Sequence, residues 1–152
     1  MRLTLGIRHL WFCSSLIKLL QTESTFQFTI MTHYELNHVA LHVADVEKSC
    51  EFYKNVLQLE SMDRPAFDFP GAWFRLGTTQ ELHLIGDRDA PVHSKNRGNH
   101  FALQADNLDE WEAHLKKLGA DYVPRRTRPD GALQIFVKDP DGHHIELFTK
   151  QL

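Results

Sequence analysis

Asn37-His38-Val39-Ala40-Leu41 decides the fold, because the chain repeats it with one change as Asn99-His100-Phe101-Ala102-Leu103, 62 positions later. Both copies read as strands. In the first, Val39, Leu41 and Val43 alternate with His38, Ala40 and His42. In the second, Phe101 and Leu103 alternate with His100, Ala102 and Gln104. Alternation with a period of two sends successive side chains to opposite faces of a sheet. Each copy therefore sets a histidine on the face opposite its apolar residues.

The repeat extends outward from these strands. Glu81-Leu82-His83-Leu84-Ile85 places His83 45 residues after His38, and His144-Ile145-Glu146-Leu147-Phe148 places Glu146 46 residues after His100. Leu82 and Leu84 lie opposite His83, as Ile145 and Leu147 lie opposite Glu146. Two homologous modules thus each offer two ligand-type residues on the face away from their helix. A lone histidine on a strand is usually a polar residue facing water. Four ligand-type residues at matched repeat positions are a different matter, and an internal repeat constrains the fold before any single motif does.

At 152 residues the chain is one domain with a proper core. Its formal net charge of −3 argues against general nucleic-acid binding, which needs a basic excess. Ten histidines are the unusual count and point to a metal. Cys13 and Cys50 form neither a disulfide framework nor a zinc pair, so a reducing compartment, the cytoplasm, is expected.

Residues 1–31 stand outside the repeat and are basic, with Arg2, Arg8 and Lys18 against Glu23. They lack the uninterrupted apolar centre of a signal peptide and are too short in apolar residues to span a membrane. One reading is a mitochondrial presequence. The simpler one is a dispensable stretch ahead of a working start at Met31. Residues 35–150 are expected as one domain: module one at 35–86, a polar linker at 87–97 and module two at 98–150. Asp45 suits the N-cap of a helix running to about Leu57, with Val46, Cys50, Tyr53 and Leu57 inward. Strands follow near 59–64, 71–76 and 81–86, and residues 67–71 read as a loop poised as a lid over the ligand face. In module two a helix over 108–118 turns Leu108, Trp111, Leu115 and Leu118 inward and ends at Gly119. Strands follow near 121–125, 132–138 and 143–149, the last after the turn Asp139-Pro140-Asp141-Gly142. Each module is therefore β-α-β-β-β, an α+β architecture.

Two such modules, a histidine in each first strand and the closing Asp-Pro-Asp-Gly-x-x-Ile-Glu-Leu resemble the vicinal oxygen chelate superfamily, over residues 35–150. That superfamily includes glyoxalase I, extradiol dioxygenases and bleomycin-binding proteins. The resemblance implies a curved eight-stranded mixed sheet with helices outside and one divalent metal inside. It sets the metal ligands at His38, His83, His100 and Glu146, and it implies a homodimer. Imidazole and carboxylate donors suit Zn, Ni, Co, Mn or Fe. Where glyoxalase I places two glutamates on its metal, His83 takes one of those positions here, leaving Glu146 as the carboxylate. An arginine that grips glutathione's carboxylate would fall at His42. The segment Phe67-Asp68-Phe69-Pro70-Gly71-Ala72-Trp73 resembles a glyoxalase-like subgroup whose second ligand is histidine.

These readings converge on a metal-dependent lyase or isomerase of the lactoylglutathione lyase type. Its substrate would be a small α-oxo compound or its thiol adduct, converted through an enediolate, with Glu146 as the catalytic base. His42, Phe69, Trp73, Gln104 and Arg125 are the expected substrate contacts, Arg125 as part of an anion clamp with its neighbours Arg126 and Arg128. The alternatives are an Fe(II)-dependent dioxygenase and a small-molecule-binding resistance protein. No nucleic acid or membrane partner is expected.

Overall fold

The computed structural model describes residues 34–150. The readings made for residues 1–31 lie outside the described residues. Module one runs through β1 (His38–His42), α1 (Val46–Asn55), β2 (Ser61–Met62), β3 (Gly71–Leu76) and β4 (Gln80–Ile85). Module two runs through β5 (His100–Gln104), α2 (Leu108–Leu118), β6 (Tyr122–Thr127), β7 (Leu133–Lys138) and β8 (His144–Thr149). Each is βαβββ. The strands form two four-stranded sheets, ordered β1-β4-β3-β2 and β5-β8-β7-β6, where one eight-stranded sheet was expected. In each sheet the first strand pairs parallel with the last and the other pairs are antiparallel. The parallel pair needs a long crossover, which the helix and the intervening hairpin supply.

Local chemistry sets the helix ends. The Asp45 carboxylate accepts from Lys48 N at 3.0 Å and caps α1. Asn107 Oδ1 accepts from Asp109 N and Glu110 N and caps α2. Gly119, at φ 63°, closes α2 with its N–H turned back to Leu115 O and Lys116 O. α1 stops at Asn55, short of the expected Leu57, because Gln58 takes a left-handed φ of 54° and turns the chain toward β2. Leu57 still reaches the core. Leu118, expected inward, is 47% exposed. At helical spacing it stands about 60–80° around the helix from Leu108 and Leu115, at the edge of the buried stripe. β2 is cut to two residues by the following Asp63-Arg64-Pro65, where Pro65 lacks a donor for the ladder.

The helices cover one face of each sheet, α1 on β3 and β4, α2 on β6, β7 and β8. Val43, Tyr53, Phe74, Leu82 and Leu84 fill the space under α1; Leu108, Leu115, Ile135, Val137 and Ile145 fill it under α2. Truncating Leu84 or Ile145 to alanine would cost about 2–5 kcal/mol. The opposite face of each sheet carries the polar residues.

A polar junction ties the modules together. The turn before β8 bends at Gly142, φ 93°, and projects two carboxylates onto module one. Asp139 Oδ2 accepts from the Tyr53 hydroxyl at 2.9 Å, while its Oδ1 accepts from Asp141 N and His143 N. Asp141 accepts from Ala44 N, Ser49 Oγ and Arg88. Burial, then the charge of Asp139, pushes the Tyr53 phenol well above its ordinary range. The matched positions on the other side are Leu76 and Thr78, 63 residues before the two carboxylates, and Trp111 and Leu115, 62 residues after Ser49 and Tyr53, and they form no such junction among the described residues. A cavity of about 720 Å³, lined by Leu36, Leu76, Gly77, Leu103 and Trp111 among others, lies there instead. Among the described residues no helix is long and apolar enough to cross a membrane.

Candidate metal centre

In module one, register rather than sequence proximity assembles the inner face. β1 opposes Ala40 to His83 and His38 to Glu81, while β3 opposes Trp73 to His83 and Arg75 to Glu81. These six side chains therefore share one face, with Val39, Leu41, Leu82 and Leu84 on the other. The His83 ring lies between two others. Trp73 stacks on one side, centroids 4.1 Å apart and planes within 6°; His38 stacks on the other at 4.3 Å and 13°. Nδ1 of His38 bonds to Asn37 Oδ1 at 2.9 Å. An amide oxygen only accepts, so this bond sets a proton on Nδ1 and leaves Nε2 as the outward nitrogen.

Phe67 and Phe69 continue the aromatic wall. They stack at 5.2 Å, and Phe67 lies 6.0 Å from Trp73. The segment expected as a lid is held in place. Arg64 spans both phenylalanine rings, at 4.7 and 4.8 Å, and donates to Phe69 O. Gly71 ends the loop because any side chain there would collide with the Leu84 carbonyl.

The inner face of module two is ionic. His100 Nε2 lies 3.2 Å from Glu146 Oε2, although the two come from different strands 46 residues apart. Nδ1 of His100 lies 2.9 Å from Gly98 O, again a pure acceptor, so Nδ1 carries the proton there too. An imidazole nitrogen and a carboxylate oxygen thus face each other from separate strands, and these are donor types that suit a divalent metal. Glu146 is 5% exposed. Arg128 Nη1 stands 3.6 Å from its Oε1. With the Gln134 amide oriented by its neighbours, the nitrogen donates to Glu146 Oε1 at 3.0 Å and the oxygen accepts from Arg126 Nε at 2.9 Å. Phe136 presents its ring to the His100 edge at 5.3 Å and lies under Arg126.

The four expected ligands are thus brought together as two pairs, His38 with His83 and His100 with Glu146. Among the described residues, no three His, Cys, Asp or Glu side chains converge into one cluster able to hold an ion. Of the expected substrate contacts, Trp73 and Phe69 line the module-one face. His42 is drawn to the strand end, with Nε2 2.6 Å from Gly86 O, and lines a separate cavity of about 370 Å³ with Arg88, His93, His143 and His144. Gln104 is exposed on the His100 side of β5 and borders the larger, apolar cavity.

Arg125 does not join the inner face. Its guanidinium pairs with Asp109 and Glu112 on α2. β6 carries an irregularity between Val123 and Arg126, beyond which Arg126 opposes Gln134, so Arg126 faces inward and Arg125 faces the helix. Arg126 and Arg128, the other two arginines of the expected clamp, do lie on the inner face, and Gln134 and Glu81, which were not singled out, complete the two faces. For Glu81 a signal existed, since it stands two residues from His83 on a strand.

Comparison with known proteins shows the family. The model of the Glyoxalase/Bleomycin resistance protein/Dioxygenase superfamily matches residues 35–147. The chain is 30% identical over 119 residues to the metallothiol transferase FosB of Bacillus licheniformis, across 75% of this chain and 74% of that one. It is 33% identical over 121 residues to the lactoylglutathione lyase of Salmonella typhimurium, across 74% of this chain and 90% of that one. The crystal structure of the fosfomycin resistance protein FosX from Listeria monocytogenes matches with a TM-score of 0.65 at 26% identity, over 80% of this chain and 97% of that one.

Proposed function

This chain belongs to the glyoxalase/bleomycin resistance protein/dioxygenase superfamily, and from that premise we propose that it is a metal-dependent lyase or isomerase of the glyoxalase type. Its substrate is a small α-oxo compound or the adduct of one with a thiol. The observation that carries the reading is the approach of His100 Nε2 to the Glu146 carboxylate, with the other ring nitrogen tied to Gly98 O.

His38, His83, His100 and Glu146 would hold the metal. A divalent ion there supplies Lewis acidity and a seat for a pair of neighbouring substrate oxygens. The two ligand pairs lie on separate faces, and the first strand of each sheet is an unpaired edge with its histidine side exposed. A homodimer in which the His38 pair of one copy meets the His100 pair of the other would complete the set. Zn, Ni, Co, Mn and Fe all suit these donors.

Glu146 is the proton carrier. It takes the proton from the carbon beside the carbonyl and returns it to the neighbouring carbon, so the substrate isomerises with no net loss or gain of atoms. Arg128 and Gln134 hold its Oε1, which fixes the direction of the other oxygen. Arg126 and Arg128 suit an anionic group on the substrate, the role expected of them together with Arg125. Trp73, Phe67 and Phe69 offer an apolar wall that excludes water.

A second reading, transfer of a thiol to a small electrophile, is favoured by the metallothiol transferase relative at 30% identity, close to the 33% of the lyase. One experiment separates them. The purified protein is analysed for metal, reloaded with each candidate ion and offered methylglyoxal with several thiols, then an epoxide with the same thiols. Thioester formation supports the lyase and adduct formation on the epoxide supports the transferase. Oxygen consumption with ferrous iron would move the assignment to a dioxygenase. Silence in the methylglyoxal assay with every ion and thiol overturns the glyoxalase reading.

A further inference from the structure

The inner face of module one holds a carboxylate that the proposed function leaves unused. Glu81 stands two residues before His83 on β4, so the two side chains project from the same face. Glu81 Oε2 lies 2.7 Å from His83 Nε2, and the side chains are 25% and 15% exposed. Arg75, opposite Glu81 in the register, turns to Glu60 instead, which leaves His83 as the bonded side-chain partner of Glu81 among the described residues.

A carboxylate accepts, so His83 donates through Nε2–H, and a neutral ring then keeps its lone pair on Nδ1. This is the reverse of His38 and His100, whose Nδ1 atoms are the tethered ones. The stacked rings of Trp73 and His38 already fix the plane of His83. What remains free is the half-turn about Cβ–Cγ, which returns the ring to the same plane with its two edges exchanged and so decides where each nitrogen points. The bond to Glu81 removes that freedom.

The second module supports the pairing by contrast. There His144 opposes His100 in the register, just as Glu81 opposes His38. Each inner face therefore carries two imidazoles and one carboxylate, but the last two appear in opposite order, Glu81 then His83 in one and His144 then Glu146 in the other. The carboxylate of module one has moved off the ligand position by two residues while remaining on the same face.

We propose that Glu81 is the positioning residue for His83, holding it in the Nε2–H tautomer so that Nδ1 is the atom it offers to a divalent metal. This rests on the reading of His83 as a ligand. Carboxylates that accept from the outer nitrogen of a ligating histidine typically hold 10–100-fold of metal affinity.

The test uses the full chain and zinc alone, with competition against a chromophoric chelator as one readout. The other is the ring-nitrogen NMR spectrum of His83 in the metal-free protein, which distinguishes the tautomers. Glu81→Ala should weaken zinc binding roughly 10–100-fold and leave His83 in a mixture of tautomers. Glu81→Gln keeps an amide oxygen able to accept from Nε2–H, so it should restore the single tautomer and most of the affinity. A parent protein with His83 in the Nδ1–H form overturns the proposal. So does unchanged zinc affinity in Glu81→Ala where His83→Ala binds weakly. If His83→Ala itself binds zinc as the parent does, the ligand reading of His83 fails and the positioning role falls with it.

Discussion

Module one lines its inner face with rings, and module two lines its inner face with charge. In the first, Trp73, His83 and His38 stack in parallel and Phe67 extends the stack. In the second, Glu146 sits among His100, Gln134 and Arg128, with Arg126 behind them. The backbone plan is the same in both, down to a histidine on the first strand and a ligand-type residue opposite an alanine, at Ala40 and Ala102. A duplicated scaffold has thus been divided by chemistry. One copy offers stacked rings with the Glu81 carboxylate beside them; the other offers the base and its flanking cations.

That division breaks most severely at Glu146. Glu146→Gln preserves shape and the contact with His100 but removes the charge and the proton acceptor. With metal content verified by elemental analysis, turnover should fall roughly 10²–10⁴-fold. A metal-loaded Gln variant that kept most of its activity would place the base elsewhere, and the contrast between a ring module and an acid–base module would collapse.

The junction between the modules gives the next effect. Tyr53→Phe deletes one hydrogen bond to the buried Asp139 and should cost about 1.5–3 kcal/mol in urea unfolding. The raised pKa of Tyr53 also sets a pH dependence. Above pH ~10 the unfolded phenol loses its proton while the folded one keeps it, so the native state binds more protons and stability falls as pH rises. The slope should approach about 1.4 kcal/mol per pH unit for this group and vanish from the Phe variant. Equal alkaline slopes in both proteins would show that Tyr53 is not held by the Asp139 turn. Its counterpart Leu115 has no such proton, so no matched term comes from module two.

The smallest effect separates two neighbours on β6. Arg126→Ala should raise KM for an anionic substrate about tenfold or somewhat more, the worth of a charged hydrogen bond. Arg125→Ala should leave KM unchanged and cost about 1 kcal/mol or less of stability, because its partners on α2 are the exposed Asp109 and the half-buried Glu112, both within reach of solvent. The reverse pattern in kinetics would place Arg125 at the site and Arg126 outside it.

The repeat of 62 residues made the two modules legible before any coordinate was known, because period-two alternation around His38 and His100 also dictates which residues are buried. It led to the faces of His83 and Glu146 for the same reason. What escaped was set by features that do not repeat. The irregularity in β6 exchanged the faces of Arg125 and Arg126, and no composition rule announces a slip of that kind. Leu118 is apolar and helical but stands at the margin of the stripe, where a short helix leaves it uncovered. Glu81 was readable, being two residues from His83, yet its tie to one ring nitrogen depends on a rotamer. The separation into two four-stranded sheets escaped as well, since strand alternation reports faces and is silent about which edges meet.

The Asp139–Gly142 turn has a consequence for the order of events during synthesis. Tyr53 and Ser49 are fully buried, and their partners arrive 86 and 92 residues later in the chain. A ribosome that has finished β4 has delivered every strand of the first sheet but none of the acceptors for those hydroxyls. The early half must wait, with polar groups uncompensated, until the last hairpin emerges. Folding of the first half is therefore completed from the carboxyl-terminal end of the message, and a product cut short before that turn lacks the means to settle.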